Sequence, residues 1–264
     1  MQFLAKMKYP EAKEAAQNPR AVVFVPAGTM EAHGPHLPLD TDRFGAEELS
    51  VASGEIIEQA GYSVIIAPAV PYGVCKVAMP FPGTVTLEPE TLERVLTDIC
   101  TSLAAHGFRK LVLLNHHGEA AHNAALGRAA SSVHSTTDAR VMFAFIGPHR
   151  QKSGGRFSLG GEELMLGAHP EFDWHAGEYE TALTLSRRPG AVDPQLARGL
   201  PPVYVDLHHQ WALGAKNFAE VPGGENCYFG DPSAATAETG ERVFAERARI
   251  IAEKLLVELG AGEE

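Results

Sequence analysis

Four short apolar segments recur along the chain, each rich in Val, Ile, Leu or Phe and without the alternation of a half-exposed strand. They are AVVFVPAG from Ala21, SVIIAPAV from Ser63, KLVLLN from Lys110 and RVMFAFIG from Arg140. Continuous apolar segments of this length are typical of strands that are buried on both faces of a sheet. The pattern therefore predicts four strands that are buried on both faces.

Segments with helical spacing separate the predicted strands and continue beyond the last one. These helices are expected over 42–60, 88–105, 120–133, from 178 to the Pro189-Gly190 stop, and over 234–259. Because strands and helices alternate, the strands should pair in parallel, with helices on both faces of the sheet. No repeat or linker divides the sequence, so residues 1–264 are expected to form one domain. Ligands of such sheets bind beyond the carboxyl ends of the strands.

Composition and charge narrow the class of protein. The chain has 22 Lys and Arg against 33 Asp and Glu, a formal net charge of -11, which does not suit a nucleic-acid partner. Its three cysteines, Cys75, Cys100 and Cys227, form no CxxC pair, which argues against disulfides and a thiolate zinc site. No signal-peptide core or membrane-length apolar segment is present. We therefore expect a cytoplasmic protein with no membrane partner that acts on a small molecule or peptide.

A dense polar cluster follows the first predicted strand. Within VPAGTMEAHGPHLPLDTD, five candidate ligand residues occupy twelve positions: Glu31, His33, His36, Asp40 and Asp42. Carboxylate and imidazole donors together suit zinc or manganese. A solvated polar loop is the alternative interpretation, although the glycines and prolines of the segment favour a defined irregular path.

A second polar cluster, LLNHHGEAAHN, follows the third predicted strand. It contains His116, His117, Glu119 and His122. Because the carboxyl ends of parallel strands meet at one edge of a sheet, the two clusters are expected to converge. For His116 and His122, a role as ordinary polar residues of a loop or helix start is the favoured alternative.

A third candidate segment, FDWHAGEYETALTL, precedes and opens a predicted helix. Acidic residues in a first helical turn complement the helix dipole, which accounts for Glu178. A histidine beside a metal cluster is suited to move a proton near neutral pH, and a carboxylate can orient its ring. His175 is therefore a candidate proton carrier, and Glu180 is a candidate supporting carboxylate.

These segments resemble those of creatininase-type amidohydrolases. EAHGPHLPLDTD is similar to the family signature E-x-H-G-P-H-L-P-L-x-T-D, and four further segments follow in the family's order. They are PFPGTVTL from Pro80, LLNHHGE from Leu113, HAGEYET from His175 and GDPSAAT from Gly230. The resemblance covers residues from about 20 to 260. It implies a three-layer α/β/α sandwich with a mainly parallel sheet, in a homo-oligomer that is often a hexamer.

The resemblance also implies two divalent metal ions per chain, zinc or manganese, with iron as a further option. Glu31 and His117 correspond to ligands of one ion, and His33 and Glu119 to ligands of the other. Asp42 corresponds to a ligand that bridges the two. His36 resembles a supporting residue of the first segment.

The implied reaction is hydrolysis of a non-standard amide, such as a cyclic amide, a formamide or a small peptide-like C–N bond. A hydroxide held between the two ions is the expected nucleophile. Glu119 is also a candidate base for the water, His175 is expected to protonate the departing nitrogen, and Glu180 is expected to stand behind it. Two alternatives stay open: a lactone or other ester hydrolase at the same centre, and a catalytically silent metal-binding assembly protein.

Three departures from the family pattern make creatinine itself a doubtful substrate. His116 replaces a glycine, Gly118 stands where creatininase proper has a tyrosine, and Ala78 lies in a segment without the usual histidine. These positions concern the substrate more than the metal ligands. The acyl group of the substrate is therefore left open.

A basic segment from His149 to Gly161 follows the last predicted strand and contains Arg150, Lys152 and Arg156. Its two pairs of glycines predict a loop. The positive charge could recognise an anionic group of a substrate, and a solvated basic loop is the alternative. The sequence alone leaves both interpretations open.

Overall fold

A parallel five-stranded sheet organises the part of the chain that the computed structural model describes, residues 1–145 and 160–260. Its strands are β1 (Gln2–Phe3), β2 (Ala21–Ala27), β3 (Ser63–Ile66), β4 (Lys110–Asn115) and β5 (Arg140–Phe145). Their order is β1-β3-β2-β4-β5, and every pairing is parallel. The four predicted strands are present, and the short edge strand β1 adds a fifth. β5 forms the other edge of the described sheet and is mostly only partly buried, in contrast to the predicted burial on both faces.

Eight helices accompany the sheet in the described residues. They are α1 (Tyr9–Ala16), α2 (Thr41–Gln59), α3 (Pro89–Ala105), α4 (Ala120–Thr136), α5 (Glu178–Arg187), α6 (Pro194–Gly199), α7 (Leu207–Ala212) and α8 (Ala237–Gly260). α2, α5 and α8 pack on one face of the sheet, and α3 and α4 pack on the other. The predicted three-layer α/β/α architecture with a parallel sheet is confirmed.

The central strand β2 shows why its sequence lacks polar alternation. Val22 and Phe24 face the core formed with α2 and α8, whereas Val23 and Val25 face the core formed with α3 and α4. Every residue of β2 is buried. Since β3 and β4 flank β2 on its two edges, the segment that leaves its carboxyl end lies at the middle of the sheet.

Among the predicted boundaries that differ from the structure, two have a clear local reason. β3 ends at Ile66 rather than at Val70, because Pro68 lacks the N–H group that a sheet ladder requires. The last helix begins at Ala237 instead of 234, since residues 232–234 form a 3-10 turn before it. Thr236 then caps the helix, with its hydroxyl accepting the Thr239 N–H at 3.0 Å.

The predicted basic loop falls largely beyond what the structure covers, because residues 149–159 lie outside the described residues. Its last two residues, Gly160 and Gly161, adopt positive φ angles of 81° and 84°. None of the described helices combines the length and apolar character that crossing a membrane would require.

Candidate metal centre

The predicted ligand segments converge at the carboxyl ends of β2 and β4. Glu31 and His33 follow β2, Asp42 lies in the first turn of α2, and His117 follows β4. All four side chains are buried, with at most 4% of their surface exposed. The expected convergence of the first two polar clusters is therefore present in the structure.

His117 joins the carboxylates of Glu31 and Asp42. Its Nδ1 atom lies 3.0 Å from Glu31 Oε1 and 3.0 Å from Asp42 Oδ2. Its Nε2 atom lies 3.0 Å from the carbonyl oxygen of Val74, and a carbonyl can only accept. Nε2 therefore carries the hydrogen in the neutral ring, and the Nδ1 lone pair faces two groups that are acceptors themselves.

His33 repeats this arrangement on the other side of Asp42. Its Nδ1 atom donates to the Glu31 carbonyl oxygen at 3.0 Å, so Nε2 carries the lone pair. Nε2 lies 3.5 Å from Asp42 Oδ1 and 3.8 Å from Glu180 Oε2. His33 Nε2 and Glu31 Oε1 are buried without a hydrogen-bond partner. A cation between these atoms would satisfy all of them, so the donor set fits a divalent metal ion.

Among the residues that the structure describes, three groups of side chains have ligand atoms close enough to share an ion. They are Glu31 with His33 and His175, Glu31 with Cys75 and His117, and His33 with Asp42 and Glu180; within each group the ligand atoms lie within 4.8 Å of one another. Glu180, which was expected to support His175, thus forms one of these groups with His33 and Asp42. Its Oε2 atom also accepts the Ala176 N–H at 2.6 Å.

Glu119 lies apart from these groups. It precedes α4 at the half-buried rim of the cluster, where its Oε2 atom accepts the N–H groups of Lys76 at 2.8 Å and Val77 at 3.3 Å. Burial raises the pKa of this carboxyl. Glu119 shares no candidate ligand group with His33, the residue with which the resemblance paired it, whereas Glu180 shares one with His33 and Asp42.

His175 faces the cluster from the segment before α5. Its Nε2 atom donates to the Ala32 carbonyl at 2.8 Å, and its Nδ1 atom lies 3.8 Å from Glu31 Oε1. The ring packs between His33 and Phe218, with centroid distances of 4.3 and 4.8 Å. Burial and the neighbouring His33 lower the pKa of His175 to about 4, which keeps the ring neutral.

The carboxylates control the proton affinity of His33 and His117. Burial alone lowers the pKa of His33, but Asp42, Glu180 and Glu31 outweigh it and raise the pKa to about 10. Burial opposes the same effect at His117, where Glu31 and Asp42 hold the pKa well above its ordinary value. Protons and metal ions therefore compete for the same lone pairs.

Cys75 belongs to the cluster, although its isolated position in the sequence argued against a thiolate zinc site. Its side chain is buried, and its Sγ–H donates to Glu31 Oε2. Burial, together with Glu31, raises the pKa of the thiol. A single cysteine without a CxxC partner carries no sequence signal for such a position.

His116 also contacts the cluster, in contrast to the loop role that the sequence favoured. Its Nδ1 atom lies 3.3 Å from Asp42 Oδ1 and 3.6 Å from Glu180 Oε1, and its ring stacks on Tyr179 at 5.8 Å. A Cβ atom at Gly45 would lie 2.6 Å from the His116 ring. The sequence signal for this contact was Gly45, because a glycine inside a predicted helix can mark a place where another group packs closely.

The remaining candidates have structural partners. His36 Nε2 lies 2.8 Å from the Thr181 hydroxyl, which ties the first segment to α5. His122 bonds to Asn115 Oδ1 at 3.1 Å and accepts the Val74 N–H at 3.2 Å. Asp40 pairs with Arg43 and Arg188 at the N-terminal end of α2. Glu178 accepts the N–H groups of residues 166 and 167, each at 2.7 Å.

Residues 5–255 match the family model of creatininase, described as creatinine amidohydrolase. The chain belongs to the creatininase family. This membership confirms the resemblance inferred from the sequence. The protein is accordingly an amidohydrolase that acts on non-standard C–N bonds, with residue groups suited to metal binding.

Two relatives and two solved structures illustrate the similarity. The mycofactocin precursor peptide peptidase of Mycolicibacterium smegmatis is 30% identical over 240 residues, covering 89% of this chain and 84% of that protein. The creatinine amidohydrolase of Pseudomonas putida is 29% identical over 122 residues, covering 44% and 45%. A manganese creatininase and a mutant creatininase of Zn-Zn type superpose with TM-scores of 0.75 and 0.74, each at 20% identity over 97% of this chain and 98% of the other. These structures share the fold.

The contact between Gly45 and His116 gives a stability prediction. Replacing a helical glycine with alanine normally stabilises a helix by about 0.8–1 kcal/mol, and Gly127→Ala on α4, where a Cβ meets no neighbour, should do so. Gly45→Ala should instead destabilise the metal-free protein by roughly 1–3 kcal/mol, because the methyl group overpacks His116. Urea unfolding of both variants measures the difference. His116→Gly should rescue Gly45→Ala, and equal stability of the two alanine variants would contradict this packing.

Proposed function

We propose that this family member uses two divalent ions to hydrolyse an amide C–N bond in a short peptide or a peptide-like small molecule. The observation that carries the proposal is the buried juxtaposition of His33 and His117 lone pairs with the carboxylates of Glu31 and Asp42. Acceptors that face one another in a buried cluster are costly unless a cation lies between them. The solved relatives named for manganese and for zinc support divalent ions as those cations.

Asp42 is the residue that both ions would share. Its Oδ2 atom faces His117 and its Oδ1 atom faces His33, so the two oxygens point to different imidazoles. Glu31 and His117 would complete one position, and His33 with Glu180 would complete the other. This assignment replaces Glu119 with Glu180 as a ligand and leaves Glu119 for chemistry.

Divalent ions, when bound, would polarise the amide carbonyl and lower the pKa of water at the site. The chain's own groups then handle the protons. Glu119 has a raised pKa and is held by two backbone N–H groups at the rim, which suits a base that takes a proton from the attacking water. His175 presents its Nδ1 lone pair to the cluster and is placed to carry a proton to the departing nitrogen. The Ala32 carbonyl stabilises the protonated ring by accepting from Nε2.

The partly buried edge of the apolar cluster beside His175 favours a substrate with an apolar group. Ala78 is fully buried, and Phe218 and Phe229 pack beside it in one apolar cluster. Partly buried Trp174 and Trp211 border the same cluster. The mycofactocin precursor peptide peptidase, which matches 89% of this chain, acts by its name on a precursor peptide. The creatinine amidohydrolase matches 44% of this chain. A peptide-derived amide is therefore the substrate class that we propose.

A substrate panel tests this function directly. Protein loaded with zinc or manganese should cleave short peptides with apolar residues, releasing an amine and a carboxylate that mass spectrometry detects, and a chelator should abolish the reaction. The panel includes formamides, cyclic amides and matched lactones and esters. Turnover of esters without amides would favour the ester hydrolase, and metal binding without any turnover would favour the silent assembly protein.

Metal binding should release protons and strengthen as the pH rises. Because the pKa of His33 is about 10 and that of His117 is also raised, both rings are protonated near pH 7 before an ion binds. Calorimetric zinc titrations in buffers of different ionisation enthalpy should show release of about one to two protons per chain. His33→Ala should reduce the release, whereas the exposed His134→Ala should not. Zinc binding without proton release would contradict the raised pKa values of His33 and His117.

Glutamine substitutions should separate the ligand carboxylate from the base. Glu180→Gln should lower the metal content from two ions per chain toward one, because it weakens the group with His33 and Asp42. Glu119→Gln should retain both ions and lose about 10²–10⁴-fold in turnover, the usual contribution of a positioned base. Elemental analysis and kinetics on the same preparations measure both effects. Loss of an ion from the Glu119 variant alone would restore that residue as the ligand.

A further inference from the structure

The sulfur of Cys75 occupies a ligand position inside the metal centre. Its Sγ atom, one oxygen of Glu31 and one ring nitrogen of His117 lie within 4.8 Å of one another. The thiol contacts Glu31 Oε2, while Glu31 Oε1 is buried with no hydrogen-bond partner. The unsatisfied Oε1 atom of Glu31 therefore lies 3.0 Å from His117 Nδ1, on the same carboxylate whose other oxygen the thiol contacts.

The backbone around Cys75 is held on both sides, so the placement of the sulfur is imposed by the fold. The Val74 N–H donates to His122 Nδ1 at 3.2 Å, and the Val74 carbonyl accepts from His117 Nε2 at 3.0 Å. The Cys75 N–H donates to the Thr86 hydroxyl at 2.9 Å. The Val74 carbonyl that orients His117 thus also holds the residue that precedes Cys75. The positions of the His117 ring and the Cys75 thiol are therefore linked.

We propose that Cys75 is a metal ligand, and that its thiolate joins Glu31, His117 and Asp42 around one of the two ions. This inference rests on the proposed metal centre and adds a donor to it. On binding, the Sγ–H bond breaks, its electron pair is donated to the ion and the proton passes to water. A thiolate is a soft donor, so this position should prefer zinc over manganese.

The two other thiols differ in ways that make them useful comparisons. Cys100 lies on α3, in the core between the sheet and helices α3 and α4, and belongs to no candidate ligand group. Cys227 Sγ lies 3.9 Å from His175 Nε2 and donates to the Ala32 carbonyl at 3.3 Å, so it contacts the nitrogen that faces away from the cluster. Only Cys75 of the three shares a group with Glu31 and His117.

Cobalt(II) substitution tests the proposal without relying on activity. The wild-type protein, reconstituted with cobalt under anaerobic conditions, should show a near-ultraviolet sulfur-to-cobalt charge-transfer band in addition to the visible d–d bands. Cys75→Ser and Cys75→Ala should lose the charge-transfer band and keep the d–d bands, and Cys100→Ser should keep both. The preference for zinc over manganese should fall by more than roughly 10-fold in the Cys75 variants, since losing a mere supporting group already costs that much.

Each other outcome has a defined meaning. Wild-type protein that binds cobalt without a charge-transfer band would overturn the proposal, and Cys75 would then act only as a hydrogen-bond donor that orients Glu31. A band that survives in both Cys75 variants and disappears in Cys227→Ser would overturn it in favour of Cys227. Wild-type protein that binds no cobalt, zinc or manganese would refute the metal centre itself. The wild-type spectrum, together with those of Cys100→Ser and Cys227→Ser, decides the question even where a Cys75 variant folds poorly.

Discussion

The organising constraint of this protein is a group of buried acceptors that face one another. Carboxylates of Glu31 and Asp42 and ring lone pairs of His33 and His117 meet at the carboxyl end of the central strand, shielded from solvent. Leaving such groups without a positive partner in a low-dielectric interior is costly, and protons on the two imidazoles or bound cations both relieve that cost. The raised pKa values of the imidazoles and their suitability for metal ions therefore have one origin.

Backbone carbonyl groups hold this arrangement in place. The carbonyl oxygens of Val74, Glu31 and Ala32 accept from one nitrogen of His117, His33 and His175 respectively. Each bond selects the ring tautomer and directs the other nitrogen toward the cluster, as the outer partners of metal-binding histidines do. The acceptors belong to segments that follow β2 and β3, so the sheet order places ligands and their supports together.

Local backbone strain is concentrated at the same edge. Ala176 and Cys227 have positive φ angles of 48° and 55°, the two non-glycine residues with this conformation in the described chain. Ala176 follows His175, and its N–H donates to Glu180 Oε2. Side chains rarely adopt this backbone region unless the surrounding contacts require it. Here the turn at Ala176 lets His175 before it and Glu180 after it reach the same cluster.

The sequence predicted the sheet and the convergence of the polar segments because both follow from short-range patterns. Apolar segments without alternation predict strands buried on both faces of a sheet. The segment from Glu31 to Asp42 follows one such strand and the segment from His116 to Glu119 follows another, and the carboxyl ends of parallel strands meet at one edge. The choice between Glu119 and Glu180 as a ligand was not accessible in this way, since both are acidic residues near helix starts. Only the tertiary structure shows that two backbone N–H groups hold the first at the rim.

The departures from the family pattern acquire a different meaning from this geometry. His116 was noted as a replacement for a glycine that bears on the substrate, yet its ring contacts Asp42 and Glu180, on the side of the cluster that contains His33. Cys75 contacts Glu31 on the other side, near His117. Each proposed ion position thus has one additional side chain beside it, a nitrogen donor at one and a sulfur donor at the other. Because donor softness and hydrogen bonding to ligands set metal preference, these two residues give the two positions different chemical surroundings. Asp42, the carboxylate that both proposed ions would share, would then connect two unequal positions rather than a symmetric pair.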